Sequence, residues 1–375
     1  MSEPSSHPWG NPVWTSSVHV NSRPLPSGLR VNVAVIGAGF TGLATACYVL
    51  GLRPEWHVAV FEAETVGAGA SGRTGGIVLE DTAVGPLPGV ERCLETLQAL
   101  VSSHQIECDL QINGCWEVGR REGRDDSPIA WEDQGTLRVV NVEPGGVVDP
   151  MKLVAGLARV VQESGGQIYE RAPVTAVDVA PKSGVRLEVA GKTVFAERAV
   201  FATNASCLSL LGLHKWARGV HTLALATAPL PDALLSEIGW ASRTPFYTVD
   251  LPYLWGRVTA DGRMVMGSGI IGGDALENIR ADGDEARRLF ERLERRISGL
   301  HPALRRVRVT HRWMGPICFT GDSKPVLVSK NNDHLLMATG YGGHGVALSV
   351  RVGKLLAEVI TGRNALPAWS YRLNA

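Results

Sequence analysis

The chain has 375 residues, 45% of them hydrophobic and 20% charged, with 37 Lys plus Arg against 37 Asp plus Glu. That length is too great for one compact core and fits two joined units of an ordinary globular protein. The neutral total gives no support for binding nucleic acid or an anionic membrane. Six scattered cysteines, with no C-x-x-C pair and no zinc-spaced His cluster, argue against a metal centre and suit a reducing, cytoplasmic setting.

In chain order, residues 1–27 form an arm rich in Pro, Ser and Asn. It lacks the basic start and apolar core of a signal peptide, and its Trp9 and Trp14 are expected to dock on the body. Val31 to Glu62 then reads as strand, glycine turn, helix and second strand. Val31–Leu52 is the most hydrophobic window, but its four glycines and mixed pattern exclude a membrane span. Gly37, Gly39 and Gly42 have G-x-G-x-x-G spacing. The first allows a sharp turn, the second lets a pyrophosphate approach the backbone, and the third lets helix pack on strand. The second strand, His57–Phe61, ends at Glu62, twenty residues after Gly42, where a carboxylate accepts hydrogen bonds from ribose hydroxyls. These features together predict a dinucleotide site.

The stretch Ala63–Val78 is dense in Gly, Ser and Thr. Its backbone amides, the Ser71 hydroxyl and the Arg73 guanidinium are suited to phosphate oxygens. Helices are predicted at Glu91–His104 and Met151–Ser164. Strands are predicted at Leu110–Val118 and Thr136–Val142, around a charged loop at Arg120–Asp126. Short strands follow at Gln167–Tyr169 and Val174–Val179, then a hairpin of Val185–Val189 and Thr193–Ala196, and a separate buried strand in Arg198–Ala205. Residues 216–307 read as antiparallel sheet, with a strand at Val220–Pro229, two strands within Tyr247–Val265 and a covering amphipathic helix at Asp284–Leu300. Leu335–Gly340, a GYGGHG turn and a helix at Val346–Ile360 return to the first pattern.

The pieces VAVIGAGFTGLATA, FE at 61–62, GAGASGRTGG at 67–76, VFATNA at 200–205 and ATGYGGHGVALS at 338–349 resemble the FAD-dependent amine and amino-acid oxidases of the D-amino-acid oxidase superfamily. Within it the chain is most similar to the gamma-glutamylputrescine oxidase-like branch. The resemblance implies an α/β fold: a discontinuous Rossmann-type FAD-binding domain (28–110, 151–215 and 308–375) and an antiparallel-sheet α+β substrate domain (111–150 and 216–307). It places Gly37, Gly39, Phe40, Thr41 and Gly42 at the pyrophosphate, and Glu62 with Ala63 at the adenosine ribose. Ala70, Ser71, Arg73, Thr74 and Gly75 fall at the diphosphate, ribityl chain and ring. Val174 falls at the adenine edge, and Gly342, Gly343, His344, Gly345 and Val346 at the pyrimidine end of the ring. Thr74 stands where the branch usually has Asn. No Cys has the spacing used for covalent flavin, and Cys318 is too close to Asp322, so noncovalent FAD is expected.

The implied reaction is oxidation of a primary or secondary amine to an imine, hydrolysed to a carbonyl compound, with O2 reduced to H2O2. An FAD dehydrogenase using another acceptor, or a flavin-dependent monooxygenase, is the alternative. The expected partners are a small-molecule amine and O2. Tyr253, Trp255 and Arg257 alternate, so one strand face could carry an aromatic wall and a bidentate carboxylate clamp. An ordinary cross-strand ladder with a surface arginine is the competing reading. His344 is the candidate flavin contact, and Lys324 and His221 are weaker candidates for assisting O2.

Overall fold

The first strand, Leu29–Ile36, is buried along its second half and flanked by parallel partners on both sides, as its β-branched run demands. The computed structural model describes residues 7–14, 18–21, 23–120, 126–180, 184–271 and 280–373. The 121–125 part of the expected charged loop lies outside them. Among the described residues the strands form a nine-stranded, an eight-stranded and a two-stranded sheet.

The nine-stranded sheet places Leu29–Ile36 between Val58–Phe61 and Lys192–Phe201, with Leu335–Thr339 beyond. Segments from both ends of the chain thus build one mixed α/β layer. The buried helices Phe40–Leu52 and Gly345–Ile360 cross at Gly353, where a Cβ would lie 2.8 Å from Ala44 Cβ and 3.0 Å from Thr41 O. Only a glycine allows that approach. The expected hairpin strand at 193–196 and the separate strand from 198 are one strand, Lys192–Phe201. It pairs antiparallel with Gly184–Val189 on one side and parallel with Leu29–Ile36 on the other, so nothing breaks it between the two.

The eight-stranded sheet runs in the spatial order Val309–Thr320, Ala217–Pro229, Arg263–Ile271, Leu254–Val258, Phe246–Thr248, Cys115–Gly119, Thr136–Glu143, Trp131–Glu132. One face packs on the helix Asp284–Leu300 through Leu223, Leu225, Met264, Met266, Phe290 and Leu293. The strand Val309–Thr320 has no counterpart in the sequence reading, which placed 308 onward with the nucleotide-binding unit. Pro316 and the charges at its start hide it, yet proline is tolerated because this is an edge strand. That edge is covered: Met314 N donates to Trp9 O at 2.8 Å, so residues of the arm lie along it. The strand expected from Leu110 begins only at Cys115, while Ile77–Leu79 pairs with Gly145–Val147.

Asp133, buried, sits between Arg120 and Arg296, each 2.7 Å from its Oδ2. The two guanidiniums also reach the carbonyls of Leu251, Pro252 and Tyr253, fixing the loop before Leu254–Val258. Removing the shared anion leaves Arg296 with no anionic partner among the described residues and Arg120 with only Asp250, 3.8 Å away. Asp133→Ala is expected to lower the unfolding free energy of the holoprotein by about 3–5 kcal/mol, read by denaturant titration. A loss under about 1 kcal/mol would show the triad to be solvated.

Candidate functional site

The turn after the first strand is built without side chains. Gly37 has φ +102°, and a Cβ there would meet Ala202 O at 2.6 Å; one on Gly42 would lie 1.9 Å from Gly37 O. A Cβ on Gly39 would lie 2.7 Å from Ser71 Oγ. The Ser71 hydroxyl accepts the Phe40 N–H at 2.9 Å, which leaves its own proton to donate. The helix Phe40–Leu52 starts with no acidic side chain in its first turn, so its positive end is uncompensated.

A cleft of about 230 Å³ opens over this turn, lined among others by Gly37, Gly39, Glu62, Ala63, Ala70, Ser71 and Val174. Glu62 is fixed at its wall: Oε2 accepts from Ala38 N at 2.9 Å and Oε1 from Glu64 N at 3.0 Å. Burial raises its pKa against those bonds. Thr203, also on the wall, has a buried hydroxyl with no partner. A side-chain-free cradle, an orphaned hydroxyl and a fixed carboxylate are the donor and acceptor set that phosphate and ribose need, and they fit a dinucleotide. A larger surface hollow of about 350 Å³ lies between the helices Cys93–Ser103 and Gly345–Ile360, but its mixed-charge lining contains none of these groups.

The late glycine turn adjoins the early one. Gly340, Gly342 and Gly343 have φ of +76°, +57° and +91°, a bend few other residues adopt. Tyr341 Oη lies 2.9 Å from Thr41 Oγ1, joining this turn to the start of the first helix. His344 directly precedes the helix Gly345–Ile360, and its Nδ1 is 3.4 Å from Gly342 O. Burial lowers its pKa, so the ring is neutral at pH 7.

The other face of the eight-stranded sheet meets the 73–76 loop. In register across it stand Glu117, Tyr247, Trp255, Gly267, Ala224 and Trp313. The Trp313 indole donates to Arg73 O at 2.8 Å, and Trp14 donates to Thr74 O at 3.0 Å. Arg257 Nη1 reaches Val148 O at 2.5 Å, Gly75 O at 3.3 Å and Gly76 O at 3.4 Å. Trp255 wedges between backbones: a Cβ on Gly75 would lie 2.2 Å from its ring, and one on Gly267 2.0 Å.

Several expected roles look different in this setting. Arg73 is buried and donates to the carbonyls of Gly10, Ala68 and Met314, so its side chain is engaged with backbone rather than open to phosphate. Arg257 is likewise turned to carbonyls, and burial brings each guanidinium down to about 10, which leaves both charged at neutral pH. Tyr253 precedes its strand and is 53% exposed, so it does not join the wall with Trp255. Lys324 sits half-exposed 3.7 Å from Asp322. His221 is buried edge-on to Trp9 at 5.1 Å, with neither ring nitrogen bonded. The sequence reading did not single out Thr203, Tyr247, Tyr341 or Trp313. The VFATNA strand end and the GYGGHG turn pointed towards Thr203 and Tyr341. Tyr247 and Trp313 carry no local signal.

A family model described as FAD dependent oxidoreductase matches residues 32–359. The chain belongs to that family. It is therefore an FAD-dependent oxidoreductase of the amine and amino-acid oxidase type. It is 28% identical to the probable oxidoreductase OrdL of Haemophilus influenzae and 25% identical to gamma-glutamylputrescine oxidoreductase of Escherichia coli, in each case over 90% of this chain and 85% of the relative. Among solved structures, glycine oxidase from Geobacillus kaustophilus superposes with a TM-score of 0.68 at 19% identity, covering 90% of this chain and 96% of that one, which shows a shared fold. Among the described residues no helix is long and apolar enough to cross a membrane, and no His, Cys, Asp or Glu group is arranged to hold a metal.

Two measurements test the site. Gly39→Ala forces a methyl onto Ser71 and is expected to weaken FAD retention on the order of tenfold, about 1.4 kcal/mol, read as flavin content after dialysis. Full retention would mean that the cradle is not tight. His221 has its pKa lowered, by burial first and then by Arg73. The unfolded chain therefore takes the proton first, so stability is level above about pH 6.5 and falls as pH drops below it. His221→Leu should shallow that acid limb, and an unchanged limb would exclude His221 as a contributor.

Proposed function

We propose that the protein oxidises a primary or secondary amine at its C–N bond to an imine, which water hydrolyses to a carbonyl compound and amine or ammonia, with O2 reduced to H2O2. The observation that carries this reading is the convergence of the late glycine turn, the 73–76 loop and the aromatic row of the sheet. Gamma-glutamylputrescine oxidoreductase among the relatives supports it.

When bound, FAD supplies the two-electron acceptor for a C–H bond beside nitrogen. The early turn, Thr203 and Glu62 would hold its phosphates and ribose, and the 342–346 segment would offer the ring backbone amides and the positive end of the last helix. No cysteine has the spacing used for covalent flavin, and Cys318 is buried among apolar side chains, so the flavin would be held noncovalently. Trp255 and Tyr247 exclude water and favour the neutral amine by desolvation, while His344 stays uncharged beside the ring. In this assignment the nine-stranded sheet is the FAD-binding unit. The eight-stranded sheet, with Val309–Thr320 added, is the substrate unit. Cys47, Cys93, Cys108, Cys115 and Cys318, free and buried, fit a cytoplasmic location.

Anaerobic addition of pooled primary and secondary amines should bleach the flavin bands, and air should restore them with release of H2O2. Bands that survive the amines would refute the reading. Bleaching that persists in air would move the enzyme to the dehydrogenase class.

A further inference from the structure

The row across the eight-stranded sheet has a polarity. Trp313 and Trp255 occupy one end and the middle, packed against the 73–76 loop. The Trp255 indole fills the gap between Gly75 and Gly267, so nothing more fits there. Beyond it the row passes beside the late glycine turn, where the Tyr247 ring meets His344 edge-on at 6.4 Å between centroids. The next position is Glu117, in register with Tyr247.

Glu117 is partly buried, and its carboxylate has two partners, both neutral. Tyr247 Oη donates to Oε1 at 2.6 Å, and Asn141 Nδ2 donates to Oε2 at 3.2 Å. Among the described residues no cation lies within ion-pair distance of it. A carboxylate has about four acceptor sites, so lone pairs are left over, and the tyrosine proton aims one oxygen. A half-buried anion with only neutral partners is incompletely compensated, and an ammonium donor satisfies it best. Meanwhile both arginines facing the 73–76 loop are spent on backbone carbonyls and offer no clamp for a carboxylate.

We propose that Glu117, oriented by Tyr247, binds a second, non-reacting ammonium group of the substrate, so that the enzyme prefers diamines to monoamines and to amino acids. This rests on the amine-oxidation reading for which end reacts, and it adds which end is recognised. Glu117 acts by binding, and Tyr247 acts as the positioning residue for its carboxylate.

The test uses the holoenzyme and three homologous series: n-alkylamines, their α,ω-diamines, and the ω-amino acids of equal length. Affinity is read from the perturbation of the bound flavin's absorption on titration, which needs no turnover, and bleaching rate is read separately under anaerobic conditions. At the best chain length the diamine is expected to bind about tenfold tighter than the monoamine, the gain of one charge-assisted hydrogen bond, with the ω-amino acid weakest. Glu117→Gln should bring diamine and monoamine close together, and Tyr247→Phe should narrow the gap without closing it. Equal affinities in the wild-type protein, or a preference that survives both substitutions, overturns the proposal. If Glu117→Gln fails to hold flavin, the wild-type series and Tyr247→Phe decide alone. Diamines that bind preferentially without bleaching would refute amine oxidation and leave this assignment standing. Bleaching by all amines with no preference would do the reverse.

Discussion

Four successive carbonyls, from Arg73 to Gly76, receive N–H groups from Trp313, Trp14 and Arg257. Each bond is worth about 0.5–1.5 kcal/mol net, but leaving one of those buried carbonyls unpaired costs about 1–3 kcal/mol. The loop that follows the first glycine turn is therefore tied, residue by residue, to a face of the other sheet and to the arm. Everything near the expected ring depends on this. It sets where Gly75 lies, which lets the Trp255 indole enter, which in turn requires Gly267 to have no side chain.

The first glycine turn was legible in the sequence because glycine chemistry is local. Gly37, Gly39 and Gly42 need only their neighbours to make their turn, and Glu62 needs only the strand length before it. The 342–346 turn was legible for the same reason. The roles of Arg73 and Arg257 were not, because a guanidinium is equally suited to phosphate, carboxylate or carbonyl, and only the fold decides which it meets. Tyr253 and Trp255 share parity, but parity says nothing of where a strand begins. The strand Val309–Thr320 was missed because its pattern is that of an edge, with charge and proline where a central strand has neither. Tyr247 and Glu117 are partners across 130 residues, a distance that no spacing rule reaches.

The first and last helices bring glycine turns from opposite ends of the chain together. Gly353 lets Gly345–Ile360 sit directly on Phe40–Leu52, and the Thr41–Tyr341 contact then brings the two glycine turns side by side.

Trp9 O accepts from Met314 N, and Gly10 O accepts from Arg73. In synthesis the arm residues emerge roughly three hundred positions before the strand they cover, and closing so long a loop is slow and entropically costly. Until Val309–Thr320 has been made, the arm has no seat, the Arg73 guanidinium lacks two of its carbonyls, and Trp313 cannot hold the loop. The helix of the early glycine turn likewise waits for Gly345–Ile360, on which it rests. The ring pocket thus depends on contacts between residues near the start of the chain and a strand made far later.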